Sequence, residues 1–216
     1  MIQLDLVADR SRPFQVLCLG AHCDDIEIGC GGTLLKLVGA HRLEVDWVVF
    51  SSDAARAAEA RQSAGLFLAG AARAEVALHT FRNGYFPHVG DAIKDEFERL
   101  KQAREPDLIF THTRDDLHQD HRVLCELTWN TFRSHLILEY EIPKYDSDLG
   151  APNAFVGLDE ATAARKVDYL LRCFATQRDK HWFTADTFLG LMRLRGVQAG
   201  PPQRFAEAFY CRKVGF

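Results

Sequence analysis

Several features that define specialised protein classes are missing from this chain of 216 residues. Its six cysteines form neither the close pairs of a thiolate zinc site nor the pattern of a small disulfide-rich domain, so we expect reduced thiols lying mostly in the core. No apolar run approaches the length of a membrane span. The formal net charge of -4 gives no basic excess for binding nucleic acid. We therefore expect small-molecule substrates, no nucleic-acid partner and no membrane span.

A secretory leader is not expected either. Residues 1–13 carry acids and arginines where a leader would have a continuous apolar stretch. Together with the reduced cysteines, this predicts a cytoplasmic protein. The sequence leaves the oligomeric state open, a homo-oligomer included.

Nucleotide-binding motifs are missing as well. A P-loop is excluded because the chain has no G-K-[ST] sequence. The small residues Gly29-Cys30-Gly31-Gly32 lack the G-x-G-x-x-G order of a dinucleotide fingerprint, and the acids before them would repel a pyrophosphate. We expect this segment to allow close backbone packing near a metal instead.

The length and the 47% of hydrophobic residues predict a single α/β domain spanning residues 1–216. Apolar and β-branched runs predict strands at 14–20, 44–50, 75–78, 107–111, 135–141 and 205–212. Helical spacing predicts helices at 29–40, from Ser52 or Asp53 to about 70, and at 91–104, 121–133, 159–174 and 185–195. Residues 144–157 are predicted to form a loop.

Alternation of strands and helices predicts a mostly parallel, Rossmann-like sheet flanked by helices. In such sheets ligands bind outside the carboxyl ends of the strands. Two clusters of acids and histidines, at residues 22–25 and 116–121, each follow a predicted strand. We therefore expect the two clusters to meet at one edge of the sheet.

The first cluster is His22-Cys23-Asp24-Asp25. The spacing of His22 and Asp25 lets both side chains enter one cavity, while Asp24 points elsewhere close by. A carboxylate beside a metal, but not bound to it, is placed to accept a proton from an activated water. The alternative is that Asp24 and Asp25 only cap the following helix.

The second cluster contains His118, Asp120 and His121. His121 would supply a third metal ligand, and His118 would face the substrate to stabilise an oxyanion or to protonate the leaving group. Asp120 would fix the tautomer of an imidazole. The alternative is a solvated, charge-rich loop. Two histidines and one carboxylate suit Zn²⁺, although Fe²⁺ or Co²⁺ also fits such a set.

Two residues near these clusters have competing interpretations. Arg56 either binds a hydroxyl or phosphate group of the substrate or pairs with Glu59 on a solvated helix face. Cys23 is a poor candidate for a thiolate nucleophile, because the adjacent carboxylates would raise its pKa. Among the other histidines, His112 and His88 are expected nearest to the site.

The segment GAHCDDIEIGCGGTL and the later D-x-H-x-D-H of residues 116–121 resemble the two signatures of the PIG-L/LmbE-like family of metal-dependent N-deacetylases. The resemblance extends over most of the chain, and it is weak in about the last fifty residues. Cys23 stands where the family usually has proline, and Gln119 replaces another residue that is often proline.

The resemblance implies a Rossmann-like fold without a dinucleotide. It implies that His22, Asp25 and His121 hold zinc, that Asp24 is the general base and that His118 assists at the oxyanion or leaving group. A sugar-contacting role for Arg56 follows in the same way. The expected reaction is removal of the N-acetyl group from an amino sugar of the N-acetylglucosamine type. The alternatives are a deformylase or amidase acting on a non-sugar substrate, and a sugar-binding homologue without catalytic activity.

Overall fold

The computed structural model of the chain describes residues 5–7 and 11–215, and within them it has seven strands and six α helices. The strands are β1 (Phe14–Gly20), β2 (Leu43–Val49), β3 (Arg73–Leu78), β4 (Leu108–His112), β5 (Leu136–Tyr140), β6 (Ala154–Leu158) and β7 (Phe205–Tyr210). The α helices are α1 (Asp25–Ala40), α2 (Ala54–Phe67), α3 (Gly90–Ala103), α4 (Gln119–Thr131), α5 (Glu160–Cys173) and α6 (Ala185–Ala199). Single turns of 3-10 helix lie at Phe86–His88 and Ala175–Gln177.

The strands form one sheet in the order β3-β2-β1-β4-β5-β7-β6. The first five strands in this order are parallel, and β7 pairs antiparallel with both β5 and β6. The prediction of a mostly parallel sheet flanked by helices is confirmed. Each predicted strand and helix is present, with ends that differ by a few residues.

One strand, β6, was not predicted from the sequence. β6 lies inside the segment that was predicted to be a loop, residues 144–157. Gly150, Pro152 and Asn153 precede it, and such residues usually mark a loop. β6 has only five residues and is mostly half-buried, so its pattern is weak. It is held by pairing with β7, a partner about fifty residues further along the chain.

The sheet is buried on both faces, which explains the nearly continuous apolar runs of its central strands. Successive residues of β1 point to opposite sides: Val16 and Cys18 join the core beneath α1, α2, α5 and α6, whereas Leu17 and Leu19 join the core beneath α3 and α4. The helices thereby cover the sheet from both sides and leave its carboxyl edge for the loops.

The strand order reverses direction at the boundary between β1 and β4. The chain proceeds from β1 to β2 and β3 on one side and from β4 to β5 on the other. β1 and β4 are direct parallel neighbours, with Cys18 opposite Phe110, so their carboxyl ends lie side by side. Each of these two strands leads into one of the predicted acid and histidine clusters. A reversal of this kind is where open α/β sheets bind their ligands.

Two other expectations concern the chain as a whole. Residues 1–13, which gave the expectation that no secretory leader is present, lie partly outside the described residues. Within the described residues, no helix has the length and apolar character needed to cross a membrane. That residues 1–216 form one domain stays a prediction.

Close packing of α1 on the sheet depends on its glycines, as predicted for Gly29–Gly32. A Cβ atom placed on Gly29 would lie 2.2 Å from Cδ2 of Tyr140, whose ring is fully buried. We expect Gly29→Ala to lower the free energy of unfolding by about 1–3 kcal/mol through overpacking. Urea denaturation measures this change.

Gly190→Ala is the matched control for that prediction. Gly190 lies inside α6, is exposed and has no neighbouring atom within 4 Å of an added Cβ. The substitution should raise the free energy of unfolding by roughly 0.5–1 kcal/mol, because alanine favours the helix. Equal effects at the two positions would contradict the packing argument.

Candidate metal centre

Three side chains from the two clusters converge at the carboxyl edge of the sheet. Nδ1 of His22 lies 3.2 Å from Nε2 of His121 and 3.4 Å from Oδ2 of Asp25. Nε2 of His121 lies 3.6 Å from the same Asp25 oxygen. All three side chains are at most 10% exposed. The predicted ligands therefore form a small, buried triangle of donor atoms.

The dimensions of this triangle suit zinc. Zn²⁺ bonds of about 2.0–2.1 Å in a tetrahedron place neighbouring donors roughly 3.4 Å apart. The three observed separations, 3.2, 3.4 and 3.6 Å, lie around this value. Two overlapping groups, His22 with His118 and His121, and Asp25 with His112 and His121, have donor atoms within 4.8 Å of one another. Both groups share residues with the triangle of His22, Asp25 and His121, whose imidazole and carboxylate donors fit a divalent metal.

Each imidazole of the triangle has a carboxylate on its other nitrogen. Oδ2 of Asp116 lies 2.8 Å from Nδ1 of His121, and Oδ2 of Asp120 lies 3.3 Å from Nε2 of His22. Such partners fix the tautomer of a metal-bound histidine and raise its basicity. The expectation for Asp120 agrees with this geometry, whereas the sequence analysis gave no role to Asp116.

Asp120 is itself held by the loop before α3. Its carboxylate accepts hydrogen bonds from the backbone N–H groups of Gly84, at 2.6 Å, and Phe86, at 3.1 Å. Gly84 adopts a φ of 79°, a conformation that favours glycine. The turn at Asn83-Gly84 thereby supports His22 through Asp120.

The charges of the centre are those of a cation site. Burial acts to lower the pKa of His22, but Asp25 and the other carboxylates outweigh it and raise the pKa to about 10. Burial, reinforced by nearby His112, lowers the pKa of His121 to about 3. The raised pKa thus favours a protonated His22 beside the carboxylates, and the lowered pKa favours a neutral His121. A divalent cation would satisfy the same carboxylates.

Asp24 forms an ion pair with Arg56 and is not one of the three donors of the triangle. The distance from its Oδ1 to Nη2 of Arg56 is 2.5 Å. Asp24 occupies the N-cap position of α1 but makes no side-chain cap hydrogen bond. Glu59, the alternative partner of Arg56, accepts hydrogen bonds from Thr176. Arg56 is therefore a neighbour of the metal centre and not part of a solvated helix face.

His118 lies beside the triangle at the N-cap of α4. Its ring centroid is 4.5 Å from that of His121 and 4.9 Å from that of His22. Nδ1 of His118 accepts a hydrogen bond from the Asp120 N–H at 3.2 Å, so the ring proton of the neutral form is on Nε2. Burial, with nearby His22, lowers its pKa and favours this neutral form. Nε2–H is then available as a hydrogen-bond donor.

His112 is a member of the cluster to which the sequence analysis gave no role. Its ring stacks on His121 with centroids 3.8 Å apart, and its Nε2 lies 3.2 Å from Oδ2 of Asp25. The available signal was its position as the last residue of β4, at the same sheet edge as the clusters. The ring of His88, the other histidine expected nearby, contacts that of Tyr85.

Cys23 is unsuited to act as a nucleophile. Burial raises the pKa of its thiol to about 12, with Asp24 and other acids acting in the same direction. Burial is thus a larger cause than the neighbouring carboxylates on which the prediction relied. Thiolate catalysis requires the opposite shift.

Glu27 of α1 is fully buried, and neither of its carboxylate oxygens has a hydrogen-bond partner within the described residues. The nearby Ser63 hydroxyl also has no partner of normal geometry. Burial raises the pKa of Glu27 well above its usual value, so the folded protein keeps this carboxyl protonated over a wider pH range than the unfolded chain.

We therefore expect wild-type stability to fall as pH rises from the unfolded pKa of about 4.3 toward the higher folded pKa, by at most about 1.4 kcal/mol per pH unit from this group. Glu27→Gln removes that loss, so its stability relative to wild type should increase as the pH rises above the unfolded pKa of about 4.3. Urea denaturation at several pH values measures the difference. Exposed Glu126→Gln is the control, and a parallel pH dependence of wild type and Glu27→Gln would contradict the prediction.

Solved structures share this fold. N,N'-diacetylchitobiose deacetylase from Pyrococcus horikoshii has a TM-score of 0.67 and 23% identity, over 94% of this chain and 87% of that one. The A40926 pseudoaglycone deacetylase Dbv21 has a TM-score of 0.65 and 16% identity, over 96% and 100% of the two chains. GalB, the 4-carboxy-2-hydroxymuconate hydratase of Pseudomonas putida KT2440, has a TM-score of 0.71 and 15% identity, over 94% and 98%.

The match to a family model is more specific than these similarities of fold. No curated protein sequence matches the chain closely enough to count as a relative. The family model described as PIG-L, GlcNAc-PI de-N-acetylase, matches residues 17–132, which are more than half of the chain and contain both clusters. The chain belongs to the PIG-L family.

Proposed function

We propose that the protein is a zinc-dependent hydrolase that removes the N-acetyl group from an amino sugar of the N-acetylglucosamine type. The observation that carries this proposal is the donor triangle of His22, Asp25 and His121 with Asp24, a carboxylate outside the triangle, next to it in the chain. A hydrolytic zinc site needs three protein ligands, an open position and a nearby base. The products are acetate and a free amine.

The choice of reaction is supported by the family and by two structural neighbours. The family is described as a GlcNAc-PI de-N-acetylase, and the neighbours include deacetylases of N,N'-diacetylchitobiose and of the A40926 pseudoaglycone. The hydratase among the neighbours shows that this fold supports other chemistry, so the fold alone does not select the reaction. Deacetylation is the reaction that the family and both deacetylases share, and the family description and the chitobiose enzyme both name an N-acetylated sugar.

The three predicted metal ligands and Asp24 have separate roles in the proposed reaction. His22, Asp25 and His121 would hold Zn²⁺, which supplies polarisation of the acetyl carbonyl and activation of a water molecule. Asp24 accepts a proton from the attacking water and passes it toward the leaving nitrogen. Its ion pair with Arg56 keeps the carboxylate oriented beside the centre until substrate arrives.

The remaining residues act on the substrate and on the ligands. His118 presents Nε2–H to the negative charge that develops on the acetyl oxygen, or donates its proton to the leaving amine. Asp120 acts through His22, whose ring it orients. Arg56 is the candidate for contact with a sugar hydroxyl, since it is partly exposed next to Asp24.

Metal content and acetate release test this proposal together. Elemental analysis of the purified protein should find near-stoichiometric zinc, with iron and cobalt measured in parallel. Acetate should be released from at least one member of a panel of N-acetylhexosamines and their conjugates, and chelation should stop the release. Release of formate from N-formyl analogues in place of acetate would favour a deformylase. Absence of bound metal after reconstitution would overturn the proposal.

A cytoplasmic location stays a prediction, the oligomeric state stays open, with a homo-oligomer included, and a single domain over residues 1–216 stays a prediction. Fractionation, size-exclusion chromatography with light scattering and limited proteolysis measure them in that order. None of them changes the chemistry assigned to the centre.

A further inference from the structure

Lys144 is a buried cation that the reaction proposed above does not use. It follows β5, and its side chain is only 9% exposed. Its Nζ lies 3.1 Å from Oδ1 of Asp116, and it also contacts the carboxylate of Asp148. Both carboxylates are nearly inaccessible, at 1% and 4% exposed. Such a cluster is costly to bury unless its geometry is well satisfied.

Asp116 connects this lysine to a predicted metal ligand. One oxygen, Oδ1, contacts Lys144 and accepts the His118 N–H at 2.8 Å. The other, Oδ2, lies 2.8 Å from Nδ1 of His121. Oδ1 is thus held by the ammonium group of Lys144 and the backbone N–H of His118. The other oxygen, Oδ2, faces Nδ1 of His121. Rotation of Asp116 would break all three contacts at once.

The loop after β5 also contacts the segment that contains Asp116. Asp148 accepts a hydrogen bond from the Leu117 N–H at 2.9 Å, so residues 144–148 contact both the side chain and the backbone of the segment that leads into α4. The lysine therefore joins the loop after β5 to the turn that presents His118 and His121. This loop lies in the segment that was predicted to be a loop, residues 144–157.

We propose that Lys144 is a positioning residue that sets the affinity of the metal centre by holding Asp116 in the orientation required by His121. It acts through Asp116 and touches neither metal nor substrate. This inference rests on the metal centre of the proposed function. It adds that the loop after β5 is coupled to that centre.

Zinc affinity, measured by competition with a chromophoric chelator, tests this role without any substrate. Lys144→Met should lower the affinity about 10-fold, within the range of roughly 10–100-fold seen when the outer partners of metal ligands are changed. Lys144→Gln, which keeps a donor toward Asp116, is a second variant with a smaller expected loss. Zinc affinity unchanged in both variants would overturn the inference.

A double-mutant cycle shows whether the lysine acts through Asp116. Asp116→Asn and the double variant Asp116→Asn/Lys144→Met should have the same zinc affinity within about 2-fold, because the lysine then has no carboxylate to orient. Losses that multiply in the double variant would overturn the proposed route.

Lys166 provides a matched control for the removal of a buried lysine. It is 2% exposed, pairs with Glu207 at 2.6 Å and donates a hydrogen bond to the Ile28 carbonyl at 2.6 Å, and neither partner belongs to the donor triangle. Lys166→Met should lower the melting temperature and leave zinc affinity within about 2-fold of wild type. An equal loss of affinity in this variant would show general destabilisation and contradict positioning by Lys144. Failure of wild type to bind zinc would instead count against the proposed function.

Discussion

Asp24→Asn is expected to lower kcat for deacetylation by about 10²–10⁴-fold while zinc content stays at the wild-type level. The amide has nearly the shape of the carboxylate but cannot accept the proton of an attacking water, and general-base catalysis typically contributes a factor of this size. Because Asp24 lies outside the donor triangle, substituting it should not reduce the amount of zinc bound. Steady-state kinetics with elemental analysis of the same preparation measure both quantities.

The ion pair with Arg56 requires a control, because Asp24→Asn also removes that contact. Arg56→Met breaks the pair from the other side and leaves the carboxylate in place. We expect it to raise KM more than it lowers kcat, since the residue is assigned to substrate contact. If Arg56→Met lost as much kcat as Asp24→Asn, the effect of Asp24→Asn could come from the broken ion pair, and it would not identify Asp24 as the base. A fully active Asp24→Asn would remove Asp24 from the mechanism.

Asp25→Asn is expected to have the second large effect, a loss of metal. Its Oδ2 is the only anionic corner of the donor triangle and lies 3.2–3.6 Å from ring nitrogens of His22, His112 and His121. Without this charge the site offers neutral donors only. The decrease in zinc affinity should exceed the roughly 10–100-fold typical of outer partners, and activity should decrease with it.

Asp116→Asn serves as the comparison for this prediction. It changes a carboxylate of similar burial that contacts His121 but lies outside the triangle. Its effect on zinc affinity should therefore be smaller than that of Asp25→Asn. The reverse order would mean that the metal is held by a different set of donors, such as His22, His118 and His121.

The local pattern of apolar and polar residues predicted much of the fold. The strands β1, β2 and β4 were predicted within one or two residues, because strands buried on both faces give short, nearly continuous apolar runs. β6 was missed because half-buried edge strands lack such a run, and its partner is distant in the chain. α1 begins at Asp25, four residues before the predicted start at Gly29. Tertiary packing stabilises this first turn although glycines follow it.

The sequence by itself predicted the three residues of the donor triangle, but it gave no role to His112 or Asp116, which contact that triangle. His22, Asp25 and His121 follow strands whose carboxyl ends a parallel α/β order brings together, so motif and fold class were sufficient. The tertiary structure alone decided how they are supported. Arg56 pairs with Asp24 across 32 positions, and Lys144 meets Asp116 from another loop. Contacts of this kind depend on side-chain directions across separate elements, which neither periodicity nor spacing along one segment encodes.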